Sequence, residues 1–526
     1  MDRVWRAAPA VIAAVLALAY LATDPRSGDL PAHYFRADLF GAKGFTLWNG
    51  AWYGGHHTVA YSVLFPPLAW LLGPKVVGAL ASVASAALFE PLMRRHFGEA
   101  VSRWPAIIFG AATATTLVNG RMPFGLGVAF GLAALLALQR NRHGLALGMA
   151  LLTTLASPVA GLFLALATMA VAFTAPAHRR VSLWMTIAAL LPPVLLSAVF
   201  PEGGFQPFAL STFIAIPLAV IAFVLVAPRQ ERTLRLGALL YGAGGLLAWQ
   251  LETPMGSNSA RIAELFGVPL LLAVILERKP GELRMPRLAL AAVLLLPLAG
   301  WALWPTYRDI KDATGDPSVE PGYYRAVGKF LGSQGGELGR VEIPFTKSHW
   351  ESAELAGELP LARGWQRQLD TERNPIFYDG LLTPFTYAAW LTDNGVRWVA
   401  LPSAKPDKSS YGERALIEKG LPYLKLRWRD ENWRVYEVDL PHPIAVPQEG
   451  VGVRATELGS GSFALQVDSI APAIVKVRWT PFWDPGGACV EPHGAWTKVT
   501  PTRTGHVDVT ARFSPGRVFS RGRRCG

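Results

Sequence analysis

Cysteine is nearly absent from this chain: 526 residues carry two, Cys489 and Cys525. So low a count leaves no Cys/His cluster with zinc-type spacing. No glycine pattern of the Walker or Rossmann kind stands between a strand and a helix, which excludes nucleotide chemistry by those routes. Internal repeats and long low-complexity tracts are also missing, so solenoid architectures drop out. Charged residues are scarce, at 17% of the chain, and unevenly spread. Residues 1–305 are dominated by apolar runs, whereas 306–526 read as an ordinary soluble sequence. The mean hydropathy of +0.27 averages these two regions. Acid is short relative to base, 38 against 50, for a net charge of +12. Much of that excess lies in short loops between apolar runs, where it reports topology rather than a nucleic-acid partner.

What is present is a series of segments able to span a bilayer. They lie near 5–23, 76–93, 104–118, 122–139, 144–156, 158–174, 181–199, 207–227, 235–251, 260–277 and 287–304. Several are shorter than the ~20 residues of a full span. Those flanking Ala156-Ser157-Pro158 read as two half-depth helices meeting at a break. The first segment, preceded by Arg3 and Arg6, resembles a signal sequence but ends without a small-x-small cleavage site, so it reads as a retained helix. Arg94, Arg95, Arg103, Arg140, Arg142, Arg179, Arg180, Arg229, Arg232, Arg235, Arg278, Lys279, Arg284 and Arg287 fall in alternate loops. By the positive-inside rule these loops and the N-terminus are cytoplasmic. About eleven crossings then place the Gly28–Leu72 stretch and everything after Trp304 outside. Tyr61–Leu72, short and broken by Pro66-Pro67, reads as a re-entrant or interfacial segment, because a crossing there would invert every later loop.

The expected fold is therefore an α-helical polytopic membrane domain over 1–305, an extracytoplasmic α/β module over 306–440 and a β-sandwich over 441–526. The α/β module is read from helical patterns mixed with short strands such as Val396-Arg-Trp-Val-Ala-Leu. In the last region Phe463-Ala-Leu-Gln-Val, Ile474-Val-Lys-Val-Arg-Trp and His506-Val-Asp-Val-Thr-Ala alternate between Pro/Gly turns, as sandwich strands do. In an oxidising compartment Cys489 and Cys525 would pair; two free thiols are the other reading.

The densest polar stretch follows the first helix. Asp29, at the outer interface, could be partly desolvated and serve as a general base for an acceptor hydroxyl. Before Leu30-Pro31 it reads equally as an N-cap with proline in the first turn. His33 falls one turn later on the same face, to orient Asp29 or to make a structural hydrogen bond, and Asp38 is the second acid, on another side. Trp48, Trp52 and Tyr53 offer flat faces beside amide donors, as a sugar platform or as an aromatic belt at the interface. His56-His57 is a poor chelating pair without a third ligand. Arg121 and Arg261 stand on the side otherwise poor in base. An arginine there suits a phosphate, or else pairs with Glu252 or Glu264 or snorkels to headgroups.

Several stretches carry a family resemblance: Gly28-Asp29-Leu-Pro-Ala-His33, Trp48-Asn-Gly-Ala-Trp52-Tyr53-Gly-Gly-His-His, Tyr61-Ser-Val-Leu-Phe-Pro66-Pro67-Leu and Asn119-Gly-Arg-Met-Pro-Phe. With a multispanning domain and an outer C-terminal module they resemble the C-type (GT-C) integral membrane glycosyltransferases. Asn119-Gly-Arg-Met-Pro-Phe resembles a helix start of bacterial, especially actinobacterial, members, and Ala362-Arg-Gly-Trp, Gly395-Val-Arg-Trp and Trp479-Thr-Pro-Phe-Trp are similar to stretches of the large YfhO-like proteins of this class. The resemblance implies sugar transfer from a polyprenyl-phosphate donor to a cell-envelope glycan, lipid or protein acceptor, at the outer face of the plasma membrane, with membrane lipids as further partners. It implies that Asp29 is the catalytic acid of the first outer loop. The compact Asp-x-Asp pair of many members is missing, since Asp29 and Asp38 stand nine positions apart, and a divalent cation is the one cofactor left open. A transporter or flippase is the rival from another class, expected to show inverted repeats and deep ionisable residues. A non-catalytic envelope assembly protein is the third reading.

Overall fold

The computed structural model describes residues 2–59, 61–279, 285–449 and 452–526. Arg284 and the side chain of Arg3 lie outside the described residues. The chain divides into two compact units. The first comprises Met1–His33, Ala60–Ala198 and Gly203–Thr314; the second comprises Tyr34–Val59, Val199–Glu202 and Gly315–Gly526. The division expected at residue 305 thus falls at 314, and the second unit also takes a piece of the first loop.

The first unit is helical. It contains α1 (Asp2–Thr23), the start of α2 (Leu30–Lys43), α3 (Phe65–Leu72), α4 (Pro74–Phe97), α5 (Glu99–Val118), α6 (Met122–Gln139), α7 (His143–Ala156) and α8 (Pro158–Thr174). After these come α9 (Arg179–Val199), α10 (Leu210–Phe213), α11 (Ala215–Val226), α12 (Arg232–Gln250), α13 (Arg261–Glu277) and α14 (Arg287–Ala313). Ten of the eleven apolar segments fall essentially on one helix each, and 207–227 is divided between α10 and α11. Six helical stretches among the described residues are long and apolar enough to cross a membrane, judged by length and composition.

Small residues let these helices approach closely, the packing device available where no hydrophobic drive operates between apolar surfaces. A Cβ on Gly110 of α5 would meet the Pro9 carbonyl oxygen of α1 at 2.5 Å, and one on Gly127 of α6 would meet the Ala160 Cβ of α8 at 2.6 Å. Ser157 interrupts α7 and α8 with extended backbone, φ −156° and ψ 114°, and its side chain accepts from Ala160 N. Carbonyls freed at this break bond to the Tyr61–Leu72 segment. Val63 N and Leu64 N donate to Leu155 O at 3.0 and 3.1 Å, and Ser62 Oγ donates to Ala156 O at 2.7 Å.

Basic side chains gather at one end of this bundle. Arg6 pairs with Glu99 at 3.1 Å, Arg94 with Glu90 at 2.7 Å and His96 with Glu231 at 2.8 Å. Arg278 Nε donates to Val226 O at 2.7 Å.

The second unit is rich in sheet. Strands β1 (Trp48–Asn49) and β2 (His56–His57) form a small antiparallel hairpin. Next, β3 (Arg340–Glu342), β4 (Val396–Pro402), β5 (Leu424–Arg429) and β6 (Trp433–Val438) build a sheet of order β3-β4-β6-β5, parallel only between β3 and β4. It packs with α15 (Gly322–Gly332), α18 (Pro384–Asp393) and α19 (Tyr411–Lys419), and the short helices α16 (Glu351–Glu354) and α17 (Arg367–Arg373) belong to the same unit. A buried ionic centre sits here. Arg363 binds Asp370 in bidentate fashion at 3.0 and 2.6 Å, reaches Glu413 at 3.3 Å and Glu342 at 3.5 Å, and lies 4.0 Å from the Phe345 and Phe377 ring centres.

The C-terminal strands are β7 (Ala445–Pro447), β8 (Val453–Leu458), β9 (Ser462–Val467), β10 (Ala473–Arg478) and β11 (Trp483–Gly486). They continue with β12 (Ala488–His493), β13 (Trp496–Pro501), β14 (Gly505–Ala511) and β15 (Arg524–Cys525). Two sheets, β15-β12-β13-β10-β7 and β11-β14-β9-β8, enclose one apolar core containing Phe463, Leu465, Val475, Val490, Val499 and Val507. Alternating residues supply it because side chains on a strand point to opposite faces. Cys489 and Cys525 stand opposite each other in the β12–β15 pairing and form a disulfide.

Candidate active site

In the first unit the helix starts of α2, α6 and α13 meet. Gly120, at φ +70°, makes this possible: a Cβ there would lie 2.5 Å from Ser27 Oγ and 3.1 Å from Leu30 N. The Asn119-Gly120-Arg121 turn is therefore pressed against the start of α2. Asp29 precedes α2, Arg121 precedes α6, and Arg261 opens α13. The N-terminal ends of helices carry unpaired N–H groups and partial positive charge, so their convergence favours an anion.

The charged side chains at this point divide into two sets. Arg121 forms a short ion pair with Glu264, one turn into α13, whose side chain is 8% exposed. Its guanidinium is committed there, as the pairing alternative to phosphate binding expected. Arg261 lies 4.0 Å from the Asp29 carboxylate, beyond hydrogen-bond length, and sits over the Phe124 ring at 5.8 Å. The Asp29 side chain is 43% exposed and that of Arg261 16%, so this pair is accessible and loosely joined. Tyr61 lies within electrostatic range of Arg261, and Asp309 of α14 within range of both Asp29 and Arg121. Sequence reasoning missed Asp309 because the apolar run ends at 304, while the helix continues to Ala313. Helical periodicity carried past Trp304 was the signal that could have found it.

The other expected site residues lie apart from this pair. His33 is buried in the first unit, its ring centre 5.3 Å from that of Phe65 and 5.9 Å from that of Tyr61. Asp38 belongs to the second unit and is exposed on α2.

The expected aromatic platform requires correction. Trp48, Trp52 and Tyr53 are 2%, 0% and 1% exposed and form packing contacts in the second unit. Trp48 joins the sandwich core against Trp483, with ring centres 5.6 Å apart. Trp52 stacks on Phe35 at 4.2 Å, presses against Gly364 and donates through Nε1 to Ser352 O at 3.1 Å. The Tyr53 hydroxyl donates to Gly364 O and accepts from Gln366 N at 3.1 Å. Their flat faces are covered, so no ring is open to a sugar.

The histidine pair is likewise structural. His57 Nδ1 lies 2.9 Å from Glu202 and Nε2 3.0 Å from Thr480 Oγ1; His56 stacks on Trp52. Arg373 completes the clasp, binding Glu202 at 2.8 Å and Gly55 O at 2.7 Å. These contacts and the Arg373 charge hold Glu202 down at about 2 against its burial, while burial pushes His56 down to about 3.

No protein-family model matches the chain. No curated protein matches it either. Among solved structures it is similar to the archaeal oligosaccharyltransferase AglB from Archaeoglobus fulgidus, in complex with an inhibitory peptide and a dolichol-phosphate. The identity is 12% and the TM-score 0.46, over 76% of this chain and 69% of that one.

Proposed function

We propose that this protein is a membrane glycosyltransferase that moves a sugar from a polyprenyl-phosphate donor to a cell-envelope acceptor at the outer face of the plasma membrane. The observation that carries the reading is the accessible Asp29 carboxylate beside the Arg261 guanidinium, where three helix N-termini meet. Opposite charges 4.0 Å apart that do not saturate one another suit a reaction needing a base and an anion site together.

Asp29 takes the proton of an acceptor hydroxyl, whose oxygen attacks the anomeric carbon. The bond from that carbon to the phosphate oxygen breaks, and the electron pair leaves on the lipid phosphate. Arg261 and the helix ends stabilise the growing charge. A direct displacement inverts the anomeric centre. Arg121, bound to Glu264, holds the helix starts in register and is a positioning residue. Asp309 adds a third carboxylate to the cluster, through which a divalent cation could be engaged. With the arginine-rich loops taken as cytoplasmic by the positive-inside rule, Asp29 and the C-terminal region would work at the outer face.

The test is reconstitution of the full chain in liposomes with polyprenyl-phosphate sugars. Asp29→Asn should lower turnover by at least 100-fold, the usual scale for a lost general base. Arg261→Gln should lower it comparably and Arg261→Lys less. Full transfer by a folded Asp29→Asn protein refutes the assignment.

A further inference from the structure

A small cavity lies inside the second unit, where the β1–β2 hairpin meets the sandwich. Its walls include Trp48, Gly50, Gly54, Arg340, Ser462 and Trp483. It has room for one small species, about the size of a water molecule. Two glycines set the walls. A Cβ on Gly50 would lie 2.5 Å from Gly459 O, and one on Gly54 would lie 3.1 Å from Arg340 Nη2.

Arg340 is 1% exposed. Its Nη1 donates to Asn394 O at 2.7 Å and its Nη2 to Lys476 O. Its Nε–H has no acceptor among the described residues, and neither has the Nε1–H of Trp48, which lines the same cavity. Among the described residues no carboxylate pairs with Arg340; Lys476 and Arg478 stand close by, with Asp393 and Glu337 acting on the first and Glu202 and Glu372 on the second. A guanidinium does not shed its proton in a protein, so this is a buried positive charge bonded only to neutral carbonyls. Such a charge costs several kcal/mol unless compensated. Burial accordingly pushes Arg340 down to about 10 and Arg478 down to about 9.

Both orphan groups are donors, the buried Arg340 charge has no carboxylate partner among the described residues, and the space holds one atom-sized species. We propose that this cavity is a structural anion site for a monatomic halide of the chloride class, held by Arg340 Nε–H and Trp48 Nε1–H. Phosphate, sulfate and carboxylates are too large for it. The ion would join the first-loop hairpin to the sandwich, so occupancy would be read as stability of the second unit.

The experiment uses the purified full chain in detergent, in chloride, bromide or gluconate at constant ionic strength. Thermal unfolding should shift upward by about 5 °C in chloride and bromide, with saturation, as expected for a ligand at well above its Kd. Arg340→Gln should abolish the halide shift. Should that variant not fold, crystals of the unaltered chain grown in bromide decide: anomalous scattering should place bromine in hydrogen-bond contact with Arg340 Nε. Equal midpoints in all three salts, a halide shift that survives in Arg340→Gln, or bromine absent from the cavity with a water in its place would each overturn the proposal.

Discussion

Replacing Arg363 by methionine should be among the most damaging single changes in the second unit. The guanidinium is 1% exposed and bonded to Asp370 through two atoms, with Glu413 and Glu342 at 3.3 and 3.5 Å. Burial, reinforced by the neighbouring Glu413, pushes Glu342 well above the ordinary carboxylate range; burial also raises Glu413. Removing Arg363 therefore leaves chiefly the Asp370 carboxylate without its counter-charge. Breaking a buried pair from one side costs about 3–5 kcal/mol, and contact with two aromatic faces adds about 1 kcal/mol. For a unit of this size that is a fall of about 10 °C in unfolding midpoint. Glu342→Gln, which swaps a neutral acid for an amide of the same shape, should cost less than about 1 kcal/mol. Calorimetry or fluorescence-detected melting of the two variants separates these outcomes. An Arg363→Met protein melting within 2 °C of the unaltered chain (against the ~10 °C expected from the buried pair), or a Glu342→Gln protein equally damaged, would show that the ionic centre is not what holds this module.

Two further predictions concern the same unit. Buried Glu351 is pushed up to about 8 from 4.5, so its contribution is complete below about pH 4.5 and lost as pH rises through 8. Buried His56, pushed down to about 3 from 6.5, contributes fully above pH 6.5 and loses that contribution as pH falls toward 3. Melting followed against pH should show both limbs, and Glu351→Gln should flatten only the alkaline one. The disulfide closes a loop of separation 36. Chain entropy gives about 4 kcal/mol for a loop of that length. Cys489→Ala with Cys525→Ala should therefore lower the midpoint by about 10 °C and remove the response to reductant; an unchanged midpoint would refute the entropic estimate.

Helices were legible because long apolar runs have few alternatives, and strands because Val-, Ile- and Trp-rich alternation fits a pleated sheet. The Ser157-Pro158 break was legible for a local reason, proline following an extended residue. What the sequence could not show is which partner a side chain meets hundreds of positions away. Trp48, Trp52 and Tyr53 look the same whether their faces are open or packed on Trp483 and Gly364, and only the fold decides. Arg121 was ambiguous in the same way, since Glu264 stands 143 residues on. Asp29 was legible as a candidate because a carboxylate just past an apolar helix is uncommon. Arg340 gave no signal of burial, and Arg363 stood out only inside the Ala362-Arg-Gly-Trp stretch of the resemblance, with nothing local to name its partners.

The hairpin carries a consequence for how the chain is made. Trp48 is synthesised more than 400 residues before Trp483, against which it packs. During translation its rings must wait without their partners until nearly the whole protein has emerged, a period in which holding chaperones would find a client. A fragment beginning at Gly315 would conversely expose Trp483 and Gly364 without the Trp48 and Trp52 rings that cover them. Expressed alone, it should be sticky and poorly soluble, and a synthetic peptide spanning Tyr34–Val59, supplied in trans, should restore it to a well-behaved monomer.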